Sequence, residues 1–172
     1  MDKDVIVSIN GVQMADGEQQ DVELITRGSY FYKNGKHYVV YEEAYEDEAQ
    51  KAHNTMKIAD GSLELIKTGL INTRMVFCRG RKNESSYQTP FGMMVVGIEA
   101  KEVLLKEEAD VLTIDILYAL DINYEHVSDC TMNIRITSAQ KASLGLAEEA
   151  ESDAREAEFL QLLLDPDAQE NG

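Results

Sequence analysis

From Asp4 to about Thr137 apolar and polar residues alternate with a period of two, and nothing in that span keeps a helical period for more than two turns. A chain patterned in this way has to fold as strands with one apolar face each. Two turn signals fix how those strands pair. Asn34-Gly35 interrupts YFYKNGKHYVVYEE, and both of its residues tolerate the positive φ of a type I′ hairpin turn. Centring the hairpin there pairs Lys33 with Lys36, Tyr32 with His37, Phe31 with Tyr38, Tyr30 with Val39 and Arg27 with Glu42. The buried face then carries Val22, Leu24, Tyr30, Tyr32, Val39, Tyr41 and Tyr45, and the wetter face carries Arg27, Ser29, Glu42 and the two lysines. Asp60-Gly61 registers a second hairpin, with Ile58 against Leu63, Met56 against Leu65 and Lys57 against Glu64.

The remaining runs extend the series. Val5, Val7 and Ile9 share a face in the first strand, and Met75 and Phe77 alternate with Arg74, Val76 and Cys78. Leu112, Ile114, Ile116, Tyr118, Leu120 and Ile122 line one side of a long strand, and Cys130, Met132, Ile134 and Ile136 face inward from the last. Pro90-Phe91-Gly92 marks a turn or sharp bend, and the acidic connection over residues 42–54 has room for a helical turn. Eight to ten antiparallel strands must bury their apolar faces by curling or by pairing, and hairpin following hairpin favours an up-and-down β-barrel. A length of 172 residues suits one such core. From Ala139 the pattern changes to an Ala/Glu/Leu-rich segment, read as an acidic helical or disordered extension over 139–172 beyond a barrel domain over 1–138.

Charge and composition exclude several function classes. The net charge of -16 places 14 Lys/Arg against 23 Asp/Glu up to Ser138 and 2 against 9 beyond it. An acidic surface repels phosphates, so nucleic acid and anionic membranes are not expected partners. Arg74, Arg79, Arg81 and Lys82 form a local basic cluster, a solvated strand end or an anion site. There is no run of about 18 apolar residues. The start MDKDVIVSIN enters a β pattern directly without a signal-peptide profile, so the expected location is cytoplasmic. Cys78 and Cys130 read as buried structural thiols.

The runs TRGSYFYKNGKHYVVYEE and SYQTPFGMMVVGIEAK, with the strand pattern between and after them, resemble the YwiB-like family of small bacterial proteins, a domain of unknown function with a calycin-like (lipocalin-type) β-barrel. The likeness covers roughly residues 4–137. It implies the barrel and no established activity, and the Gly-x-Trp signature of secreted lipocalins is missing because the chain has no tryptophan.

Three readings of function follow. In the first, the barrel holds a small apolar or amphipathic ligand, with Tyr30, Tyr32, Tyr41, Met75, Phe77 and Phe91 as its lining, because tyrosine joins an apolar body to a polar tip. The same rings could instead fill the barrel as core. In the second, the chain is an interaction module or homodimer using a strand edge or its Leu-rich tail. In the third, tyrosines and an arginine meet for acid-base chemistry. No Gly-rich phosphate loop, His-Glu-x-x-His, Cys-x-x-Cys or Gly-x-Ser-x-Gly motif appears, and His37, His53 and His126 are scattered at a hairpin end and in loops. No catalytic residue, metal or cofactor is therefore assigned.

Overall fold

Residues 1, 3–15, 17–44, 51–69, 72–89 and 92–141 are described in a computed structural model. Ten strands follow one another: β1 (Asp4–Ala15), β2 (Glu18–Lys33), β3 (Lys36–Ala44), β4 (Lys51–Ala59), β5 (Ser62–Gly69), β6 (Thr73–Cys78), β7 (Lys82–Thr89), β8 (Gly92–Glu108), β9 (Val111–Ile122) and β10 (Glu125–Ser138). Every strand pairs antiparallel with its sequence neighbours except β6 with β7, and β1 also pairs with β10, so the sheet order is β6-β5-β4-β3-β2-β1-β10-β9-β8-β7. The result is a nearly closed up-and-down barrel whose seam lies between β6 and β7. Across the seam, the Ser85 hydroxyl donates to the Arg74 carbonyl at 2.8 Å. The turn between those strands is tied on both sides, by Arg79 N–H to the Gly61 carbonyl at 3.0 Å and by Gly80 N–H to the Ala100 carbonyl at 2.9 Å.

The hairpin registers follow the turn chemistry. Asn34 and Gly35 have φ of 54° and 75°, and the ladder runs from Lys33↔Lys36 to Gly28↔Tyr41. At the next hairpin Ile58 pairs with Leu63, Met56 with Leu65 and Lys57 with Glu64. Phe31 and Tyr38 stack on the outer face, with ring centroids 5.6 Å apart. Val5, Val7, Leu112, Ile114, Ile116, Ile134 and Ile136 are buried, as their alternation requires.

Several expectations are corrected. The β2–β3 ladder keeps the expected register but ends at Gly28↔Tyr41, one pair short of Arg27 and Glu42, and Glu42 is engaged by Lys51 and His53 of β4. Val22 and Tyr32 lie on the inward face but are 56% and 61% exposed, because they stand near opposite ends of the long β2, where the barrel opens. The 42–54 connection is strand at both ends, with β3 reaching Ala44 and β4 starting at Lys51. His53 and His126 lie on strands, not loops. Cys130 is buried but Cys78 only half so, because it alternates with the inward Phe77. Tyr45, Pro90, Phe91 and the extension beyond Lys141 lie outside the described residues.

Candidate ligand site

Cross-strand registers arrange the inner wall of β2–β6 in rows. One row is Tyr32, His37, Ile58, Leu63 and Phe77; the next is Tyr30, Val39, Met56, Leu65 and Met75; a third is Gly28, Tyr41, Asn54, Lys67 and Thr73. The tyrosines and Met75 singled out from the sequence are thus spread over three levels. Phe77 is fully buried and meets Tyr118 of β9 edge-on, with centroids 5.0 Å apart, inside the barrel. With Met56, Ile58, Leu63, Ile114 and Ile134 it fills the middle. Each such side chain contributes about 1.5–3 kcal/mol by burial. Met75 packs half-buried against this core, and Tyr41 is 3% exposed opposite Gly28, whose missing Cβ makes room for the Val40 carbonyl oxygen and a Val7 methyl. Phe91 lies outside the described residues.

At the end of the barrel that carries the Asn34-Gly35 turn, the wall changes from apolar to polar. The turn sets His37 opposite Tyr32, and their rings lie 5.0 Å apart at 56°. His37 is 8% exposed, and both of its ring nitrogens are occupied. Nδ1 lies 2.7 Å from the Tyr30 hydroxyl, and Nε2 is hydrogen-bonded to a carboxylate oxygen of Glu107. An ionised carboxylate can only accept, so Nε2 carries a proton and donates to Glu107, and in the tautomer protonated there alone Nδ1 accepts the Tyr30 proton. Burial, and then the Glu107 charge, raise the Tyr30 pKa above the ordinary phenol value. The phenol therefore stays protonated and donating.

Glu107 reaches this position because of an irregularity in β8. Met94, Val96, Ile98 and Ala100 face inward on even positions, the register slips between Ala100 and Glu102, and Val103, Leu105 and Glu107 then face inward on odd ones. One extra residue, Lys101, reverses the alternation and turns a carboxylate into the mouth. Between these groups lies an open cavity of about 540 Å³ lined by Tyr32, Gly35, His37, Ala59, Asp60, Leu105 and Glu107. The lining presents two aromatic rings and two carboxylates, with no Lys or Arg among the described residues.

Sequence reasoning found Tyr30 and Tyr32 and missed His37, Asp60 and Glu107. The signal for Glu107 was present in GMMVVGIEAKEVLLKEE, where the apolar residues change parity after Ala100. Two members of the basic run are taken up in ion pairs: Arg74 binds Glu64 at 2.6 Å, and Lys82 binds Asp121.

Comparison with known proteins gives a family and a relative. The family described as "Domain of unknown function (DUF1934)" matches residues 7–134. The uncharacterized β-barrel protein YwiB of Bacillus subtilis is 23% identical over 130 residues, spanning 74% of this chain and 90% of that protein. A crystal structure of YwiB from the same organism superposes with a TM-score of 0.69 at 22% identity, covering 80% of this chain and 92% of that one. At that identity the likeness carries the fold alone.

Proposed function

The chain belongs to the DUF1934 family of unknown function, and from its own barrel we propose that it binds a small amphipathic amine in the mouth beside His37. The observation that carries this reading is the cavity itself: Tyr32 and Leu105 offer apolar surface, while Asp60 and Glu107 offer negative charge without a basic side chain among the described lining residues. An ammonium group fits both demands, through the carboxylates and over the exposed Tyr32 face, where a cation is worth about 0.5–2 kcal/mol. His37 orients Glu107 through Nε2 and is itself fixed by Tyr30, so the acidic group is held in place before a ligand arrives. The net charge of -16 adds a long-range attraction for cations. Catalysis is the weaker reading, because the raised Tyr30 pKa opposes formation of a phenolate base. The free thiols Cys78 and Cys130 support a reducing compartment such as the cytoplasm.

Native mass spectrometry of the full chain purified from its own host tests this function. One retained basic molecule per chain, lost from Tyr32→Ala, is the expected result. A bare chain that also fails to take up added phenethylamine contradicts it.

A further inference from the structure

Asn54 is a polar side chain that neither the packed middle of the barrel nor the mouth explains. It is fully buried, and it points inward from β4 in register with Tyr41 on β3 and Lys67 on β5. Neither its amide nitrogen nor its carbonyl oxygen has a hydrogen-bond partner. Lys67 is already engaged by Glu43 at 3.1 Å, and among the described residues no hydrogen bond reaches the Tyr41 hydroxyl. Burial raises the Tyr41 pKa, so that hydroxyl keeps its proton and can donate. A buried amide bare at both ends is costly, and leucine, with the same branched shape, would carry no such cost. Such a group persists where something outside the fold supplies its partners.

We propose that Asn54 and Tyr41 form the recognition point of a second, interior site for a small uncharged molecule that presents a donor and an acceptor side by side, as a primary amide or lactam does. The asparagine amide matches that edge with its own acceptor and donor. The ligand is uncharged because Val39, Ala52 and Met56 around the site are fully buried and apolar, and the Lys67–Glu43 pair is already neutral in sum. The site is separate from the mouth: the row of Val39, Met56 and Leu65 lies between Asn54 and His37.

The test is a titration of the full ¹⁵N-labelled chain with acetamide, with acetate as the charged counterpart and Asn54→Leu in parallel. Acetamide is expected to shift the Asn54 side-chain amide pair saturably, and acetate to leave it unmoved. Acetamide is also expected to raise the thermal midpoint of the wild type and not that of Asn54→Leu, whose own midpoint without ligand lies above the wild type's. Tyr41→Phe, which removes one hydroxyl, is expected to weaken acetamide binding about fivefold. An Asn54 amide that reports one long-lived water and no acetamide shift overturns the proposal, as does an equal acetamide response in Asn54→Leu. If Asn54→Leu does not fold, the paired acetamide and acetate titrations of the wild type decide. Phenethylamine that shifts Tyr32 while acetamide leaves Asn54 unmoved keeps the mouth site and overturns this one.

Discussion

His37 sits almost wholly inside the barrel with an acceptor on one nitrogen and a donor on the other, so each partner fixes the role of the next. Removing Glu107 leaves the Nε2 proton unpaired. Because the Glu107 side chain is 57% exposed, water replaces part of the lost bond, and Glu107→Ala is expected to cost only about 1 kcal/mol in urea unfolding. An unchanged midpoint would show that the bond does not hold the imidazole. Tyr30 was legible as an inward residue from the Asn34-Gly35 register alone. His37 shares that register, yet its partner is 70 residues away on β8, and cross-barrel proximity leaves no trace in local pattern.

At the level of single strands, turn chemistry decided what the sequence could reveal. Asn34-Gly35 and Asp60-Gly61 announced their hairpins, whereas β9 and β10 join through Asn123 and Tyr124, with φ of 50° and 69°, a conformation tyrosine rarely adopts. Asn123 is held there by bonds to Val95, donating its N–H to the carbonyl at 2.8 Å and accepting the Val95 N–H on Oδ1 at 3.0 Å. Tyr124→Gly relieves the backbone strain at an exposed position and is expected to stabilise the protein by about 1 kcal/mol, read as a higher urea midpoint. Gly28→Ala should act in the opposite direction. Its added Cβ would stand 2.9 Å from the Val40 carbonyl oxygen and 3.2 Å from a Val7 methyl, so a loss of about 1–3 kcal/mol is expected. The β8 bulge left a subtler trace, a change of parity among the apolar residues after Ala100, and a single inserted residue reverses every side chain after it.

Across the whole barrel, buried phenols make stability depend on alkaline pH. Burial raises the pKa of Tyr41, Tyr87 and Tyr118 above the ordinary phenol value of 10.0, and burial with the Glu107 charge does so for Tyr30. The folded chain holds these protons more tightly than the unfolded chain. Their contribution is therefore complete below the unfolded value and is lost as pH rises through the folded ones. Absorbance of tyrosinate is expected to rise in two parts, the exposed tyrosines first and the buried set together with unfolding. A single smooth titration without loss of β signal would contradict the burial. The up-and-down order itself was legible, because each hairpin is local and the β1–β10 pairing closes the series.

The central claim, a mouth that selects a small amphipathic cation, is tested most directly by calorimetric titration of the full chain with phenethylamine at neutral pH. Phenylacetate serves as the control of opposite charge, and Tyr32→Ala and Glu107→Gln as variants. The structure predicts one saturable site for the amine and none for the acid. It predicts affinity reduced about 5- to 30-fold in Tyr32→Ala, the equivalent of about 1–2 kcal/mol, with a loss of at least that size in Glu107→Gln. Phenylacetate binding as tightly as phenethylamine, or amine binding unchanged in both variants, would contradict it.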